Sequence, residues 1–121
     1  MIYHIAGRGA WAEAQTRGFY CAPSLDIEGF IHCSTRHQIL GVANDFYRGR
    51  ADLLLLCIDE NLLGAPLVWE TPAHPNPNQV EQAADDCLFP HIYGVLNLDA
   101  VIGAFDFGEA RTGFALPPDL P

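Results

Sequence analysis

Ile2-Tyr3-His4-Ile5-Ala6 is a short apolar and aromatic run broken by Gly7 and Gly9, which reads as a first strand. From about Ala10 to Arg17, Trp11 and Ala14 fall at helical spacing, predicting a helix that stops near Gly18. Phe19 to Ala22 reads as a second extended piece ended by Pro23, Ser24 to Gly29 as a turn, and Phe30-Ile31-His32-Cys33 as a strand. Ser34 or Thr35 is the expected N-cap of a helix with Ile39, Val42, Ala43, Phe46 and Tyr47 on one face, ending at Arg48-Gly49. Leu53 to Ile58 is an unbroken apolar run bounded by Asp52 and Asp59, too short for a confident helix, and predicts a central strand buried on both faces. Leu67 to Glu70 is another short strand. Thr71 to Cys87, rich in proline and asparagine, predicts a long surface loop acting as a mobile flap beside a cleft. Phe89 to Leu96 returns to the core, Asn97 to Ala100 turns, and Val101 to Phe107 supplies the last strand. Many short strands with two main helices predict a single α+β domain over residues 1–116 and a flexible tail over residues 117–121.

Charge narrows the function classes. The 121 residues hold six basic and fifteen acidic side chains, a net charge of -9, which disfavours non-specific nucleic-acid binding. All six basic residues are arginines, and with no lysine there is no lysine Schiff base, Walker lysine or serine-lysine dyad within this chain. Cys21, Cys33, Cys57 and Cys87 show no CxxC spacing and read as free thiols. No run approaches the length of a membrane span and no signal-peptide pattern opens the chain, so the expected setting is soluble, reducing and cytoplasmic.

Candidate chemistry centres on histidine. His4, His32 and His91 each sit within an apolar segment, and a single such histidine is ordinarily a satisfied core residue. Three together change the reading: an unpaired buried ring nitrogen costs roughly 1 to 3 kcal/mol, so one shared polar cleft is the economical arrangement. Tyr93 and Ser34 are expected on its walls. His37 and His74 read as surface residues. Glu70 ends a strand and is a candidate catalytic carboxylate, its bland alternative being a solvated strand end; Glu28 before Gly29 reads as a turn residue accepting backbone amides. Three histidines converging in space would suit a zinc hydrolase, but no HExxH or paired-cysteine signature supports it, and no metal is expected. GxSxG, P-loop and GxGxxG motifs are absent.

The segments YHIA at Tyr3 to Ala6, SLDIEGFIHCS at Ser24 to Ser34, LLLLCID, VWE at Val68 to Glu70 and FPHIYGVLN at Phe89 to Asn97 together resemble domain of unknown function 952. That family looks like a divergent branch of the ADP-ribosyltransferase superfamily. The resemblance implies a split, mostly antiparallel sheet with a nicotinamide-dinucleotide cleft between its halves, and NAD as a possible substrate. It implies that His4 orients the dinucleotide, that the His32-Cys33-Ser34 strand lines the nicotinamide pocket, and that Glu70 or His91 acts at the reacting ribose. Arg8 or Arg36 is the expected phosphate contact, although either is by default a surface arginine. The functional expectation is an NAD- or ADP-ribose-binding enzyme of ADP-ribosyltransferase type, acceptor unspecified, with a non-catalytic nucleotide- or metabolite-binding module as the alternative.

Overall fold

Every side chain of the strand Leu53–Ile58 (β4) is buried, and the domain is arranged to cover both of its faces. In this computed structural model, which describes residues 1–72, 88–110 and 113–121, β4 is the middle strand of an antiparallel sheet. Ile2–Gly7 (β1) lies on one side and Val101–Asp106 (β8) on the other. Side chains alternate across a strand, so Ile2, Ala6, Leu56 and Ile58 enter one core while Tyr3, Ile5, Leu55 and Cys57 enter another. That two-sided burial explains why β4 reads as an unbroken apolar run, whereas β8, at an edge, alternates between partly buried and exposed.

The first core is closed by the helix Arg8–Arg17 (α1), through Ala14 and the half-buried Trp11, and by Tyr20 of the short strand Phe19–Tyr20 (β2). Gly18, at φ 93°, ends α1 and donates its N–H to the Ala14 carbonyl, a left-handed cap that suits glycine. Strand β2 pairs with Leu96–Asn97 (β7). The segment read as a turn after Ala22 is instead a helix, Pro23–Glu28 (α2), with proline at its start and Gly29 at φ 89° ending it. A second antiparallel sheet follows, with Phe89–Ile92 (β6) between Ile31–His32 (β3) and Leu67–Glu70 (β5). The two sheets meet at one bridge, where Tyr3 N–H donates to the Ser34 carbonyl at 2.9 Å and Ser34 N–H to the Tyr3 carbonyl at 2.7 Å. This is a small single-domain α+β fold, with three α-helices among the described residues rather than two.

The second core is covered by the helix Ile39–Phe46 (α3) and, near the chain's end, by Phe114 and Leu120. Neither Ser34 nor Thr35 caps α3: Thr35 N–H donates to the Gln38 side chain at 2.9 Å, a turn intervenes, and the helix starts at Ile39. The last two short strands, Glu109–Ala110 (β9) and Gly113–Phe114 (β10), pair with each other. The expected flap falls largely on residues 73–87, which with His74 and Cys87 lie outside the described residues.

Residues 117–121, expected to fray, are docked. Leu120 is 7% exposed in the second core, Tyr3 Oη donates to the Pro121 carbonyl at 2.6 Å, and Arg36 Nη1 donates to the carbonyls of Leu120 and Pro121 at 3.2 and 3.0 Å. Leu120→Ala is therefore expected to cost about 2 kcal/mol or more in urea unfolding, with Asp119→Ala near neutral; a frayed tail would leave both unchanged.

Candidate functional site

Strands β3 and β6 pair in register with His32 opposite His91, so two imidazoles from distant parts of the chain become neighbours. Their ring centroids are 5.5 Å apart and nearly perpendicular, at 82°. Phe30, buried immediately before β3, stacks on His91 at 4.1 Å and meets His32 edge-on at 4.8 Å, fixing both rings.

Each imidazole has its own carboxylate. Glu28, at the end of α2, lies with Oε2 2.7 Å from His32 Nε2, and Glu70, at the end of β5, lies with Oε1 2.8 Å from His91 Nδ1. Tyr93 Oη donates to the same Glu70 oxygen at 2.6 Å. The Tyr93 hydroxyl and, secondly, His91 hold the Glu70 carboxyl below its ordinary pKa, and Glu70 in turn raises the Tyr93 phenol. An ionised carboxylate only accepts, so His91 Nδ1 carries the proton toward it. His91 is 2% exposed, its Nε2 has no hydrogen-bond partner among the described residues, and no buried side-chain polar atom is unpaired there. Nε2 therefore opens onto the cleft that His91 lines.

That cleft encloses about 380 Å³. Glu28, His32, Ser34 and His91 form its polar lining, and Val42, Phe46 and Tyr47 of α3 contribute apolar surface. Cys33 also borders it, but burial raises its thiol pKa far above neutrality, so it is not a nucleophile there. A family model described as "Protein of unknown function (DUF952)" matches residues 5–104. The chain belongs to the DUF952 family. The crystal structure of protein CC0527 from Caulobacter crescentus is similar at 29% identity and a TM-score of 0.76, the match covering 93% of this chain and 90% of that one. The solution NMR structure of CC0527 is similar at 30% identity and a TM-score of 0.71, over 93% and 89% of the two chains. No curated protein matches the chain in sequence.

In this DUF952 domain the expected convergence of three histidines is met by two. His32 and His91 share the cleft with Ser34, but His4 points from β1 into the first core beside Tyr20. His4 Nδ1 donates to the His32 carbonyl, which leaves Nε2 to accept from Tyr20 Oη at 2.8 Å. His4 thus supports the site from behind rather than lining it. Tyr93, expected on the wall, reaches the cleft only through Glu70 and His91. Arg8 and Arg36, expected as phosphate contacts, are held elsewhere, Arg8 by Asp106 and Arg36 by the carbonyls of Leu120 and Pro121. Glu28 is a site residue rather than a turn carboxylate, and Phe30, Phe46 and Tyr47 were not singled out for the site. Their signals were weak: a four-residue step from Glu28 to His32, and an aromatic pair at the end of an amphipathic helix.

Burial drives the His4 pKa down to about 4, opposed in part by its bond to the His32 carbonyl and assisted by the nearby His32 ring. The folded state therefore binds fewer protons than the unfolded state between about pH 6.5 and 4, and acidification through that window destabilises it. The loss attributable to this group reaches about 3 kcal/mol at the acid end. Urea unfolding at a series of pH values is expected to show a smaller loss for His4→Gln than for the parent across this window; identical pH profiles would contradict the buried neutral imidazole.

Proposed function

We propose that the cleft binds a ribose-bearing nucleotide of the NAD class and that the domain is an enzyme of ADP-ribosyltransferase type. The observation that carries this reading is His91, whose Nδ1 is held by ionised Glu70 while Nε2 opens onto the cleft. The split between the β1-β4-β8 and β3-β6-β5 sheets, with a cleft beside their junction, supports it at the level of architecture.

The chemistry follows from the charge that develops. As the bond from ribose C1′ to the nicotinamide nitrogen breaks, the leaving ring takes the electron pair and becomes neutral, and positive charge builds on the ribose. Glu28 beside His32 places a carboxylate on the cleft where that charge can be stabilised. An acceptor hydroxyl forms the new bond to C1′ and passes its proton to His91 Nε2, and the resulting imidazolium is stabilised by Glu70. In this reading Ser34, which lines the cleft beside His32, holds a ribose hydroxyl.

One observation favours the second reading, a non-catalytic module. Glu70 does not itself line the cleft and reaches a ligand only through His91. Calorimetric titration with NAD and ADP-ribose, with nicotinamide release followed in parallel, separates the two. Binding is expected, His91→Gln should weaken it by about tenfold, and release by the parent should exceed that of the variant by about a hundredfold. Binding without release favours the module; no binding removes both readings.

A further inference from the structure

A carboxylate, an imidazole and a hydroxyl lie in that order across three strands. The pairing of β5, β6 and β3 sets Val68 and His32 on either side of His91, and sets Glu70 opposite Phe89. Cys33 N–H, donating to the Pro90 carbonyl at 3.1 Å, carries the register of β3 and β6 one residue further, so Ser34 falls opposite Phe89 on its other side. Side chains two apart along a strand share a face. His91 therefore has Glu70 as its diagonal neighbour on β5 and Ser34 as its diagonal neighbour just beyond β3, both at a separation that a ring side chain can span.

The first diagonal is closed, with Glu70 Oε1 2.8 Å from His91 Nδ1. The second is open. Ser34 is 6% exposed and its backbone is fixed by the two bonds to Tyr3, yet its hydroxyl makes no hydrogen bond to a described residue. No fully buried side-chain oxygen is left unpaired among the described residues, so Ser34 Oγ, like His91 Nε2, is open to the cleft that both residues line. Two polar atoms, each on a side chain otherwise withdrawn from water, thus face the same 380 Å³. Together with Glu70 they are a nucleophile, a base and a group that orients the base, a constellation defined by geometry and roles rather than by a sequence motif such as GxSxG. Rotation about the one Cα–Cβ bond of Ser34 is all that aims its oxygen within the cleft.

We propose that Ser34 is a nucleophile for acyl transfer and that the cleft hydrolyses small carboxylic esters, whose apolar part packs against Val42, Phe46 and Phe89. This activity goes beyond the ribosyl reading and needs neither NAD nor ribose. Ser34 Oγ forms a bond to the acyl carbon as its proton passes to His91 Nε2. The carbonyl electron pair moves onto oxygen and returns, and the alcohol leaves with that proton. Water then attacks the acyl carbon and gives a proton to Nε2; the acid departs as Ser34 Oγ regains the proton. The Glu70 carboxylate stabilises the imidazolium in both halves.

The test is covalent. A small alkyl fluorophosphonate, which traps activated serines, is reacted with the full chain at pH 8, where free imidazole is neutral, and the adduct is located by fragmentation mass spectrometry. An adduct on Ser34 is expected, forming about a hundredfold more slowly in His91→Gln. p-Nitrophenyl acetate should give a burst of about one nitrophenolate per chain, absent in Ser34→Ala. No adduct, an adduct on another residue, or equal labelling of parent and His91→Gln overturns the proposal. The adduct on the parent is read without any variant, so a variant that fails to fold does not rescue the idea. NAD titration of the same preparation separates the two readings. Labelled Ser34 with no NAD bound leaves acyl transfer standing and removes the ribosyl reading; NAD bound and nicotinamide released with no Ser34 adduct does the reverse.

Discussion

Two backbone hydrogen bonds between Tyr3 and Ser34, backed by the His4 ring on the His32 carbonyl, join the two three-stranded sheets. Strand β3 is only two residues long, too short to fix the direction of its side chains alone. Its position comes from β1 on one side and β6 on the other, where Cys33 N–H also donates to the Pro90 carbonyl at 3.1 Å. The His32 ring faces His91 because the backbone that carries it is clamped from both sides. An imidazole is well suited to this clamp. It donates from one nitrogen and accepts from Tyr20 on the other, so both polar atoms are satisfied within an apolar core.

From that junction the site follows by register. Once His32 lies opposite His91, the ends of α2 and β5 bring Glu28 and Glu70 to one nitrogen of each ring, and Phe30 packs against both imidazoles. The two carboxylate-imidazole pairs differ in geometry: Glu28 meets Nε2 of His32, whereas Glu70 meets Nδ1 of His91. The second arrangement turns a basic nitrogen toward the cleft. Helix α3 completes the enclosure with apolar surface from Val42 and Phe46, opposite in character to the polar side formed by Glu28, His32, Ser34 and His91.

Much of the architecture was legible because burial is two-sided. The run from Leu53 to Ile58 announces a strand covered on both faces, whereas the edge position of Val101–Asp106 is not written in its residues and shows only in their alternating exposure. Helix α2 was not legible by periodicity, since six residues give too little of it, although Pro23 at its start and Gly29 beyond its end were the usable signals. Thr35 misled because its backbone is tied to Gln38 in a turn that delays the helix to Ile39, where no side chain caps it. At the site, the cost of burying imidazoles correctly drew attention to His4, His32 and His91, but cost alone does not say which share a cavity. His4 found its partners in Tyr20 and a backbone carbonyl, a solution invisible until β2 is placed beside β1.

What His91 offers the cleft turns on which of its nitrogens bears the proton. Nitrogen-15 NMR of the imidazole side chains at pH 8, assigned through His91→Gln, reports that directly. The structure predicts a protonated Nδ1 and a pyridine-like Nε2 for His91, with Glu70→Gln disturbing that preference. A His91 ring protonated on Nε2 would present a donor rather than a base to the cleft and would contradict the account.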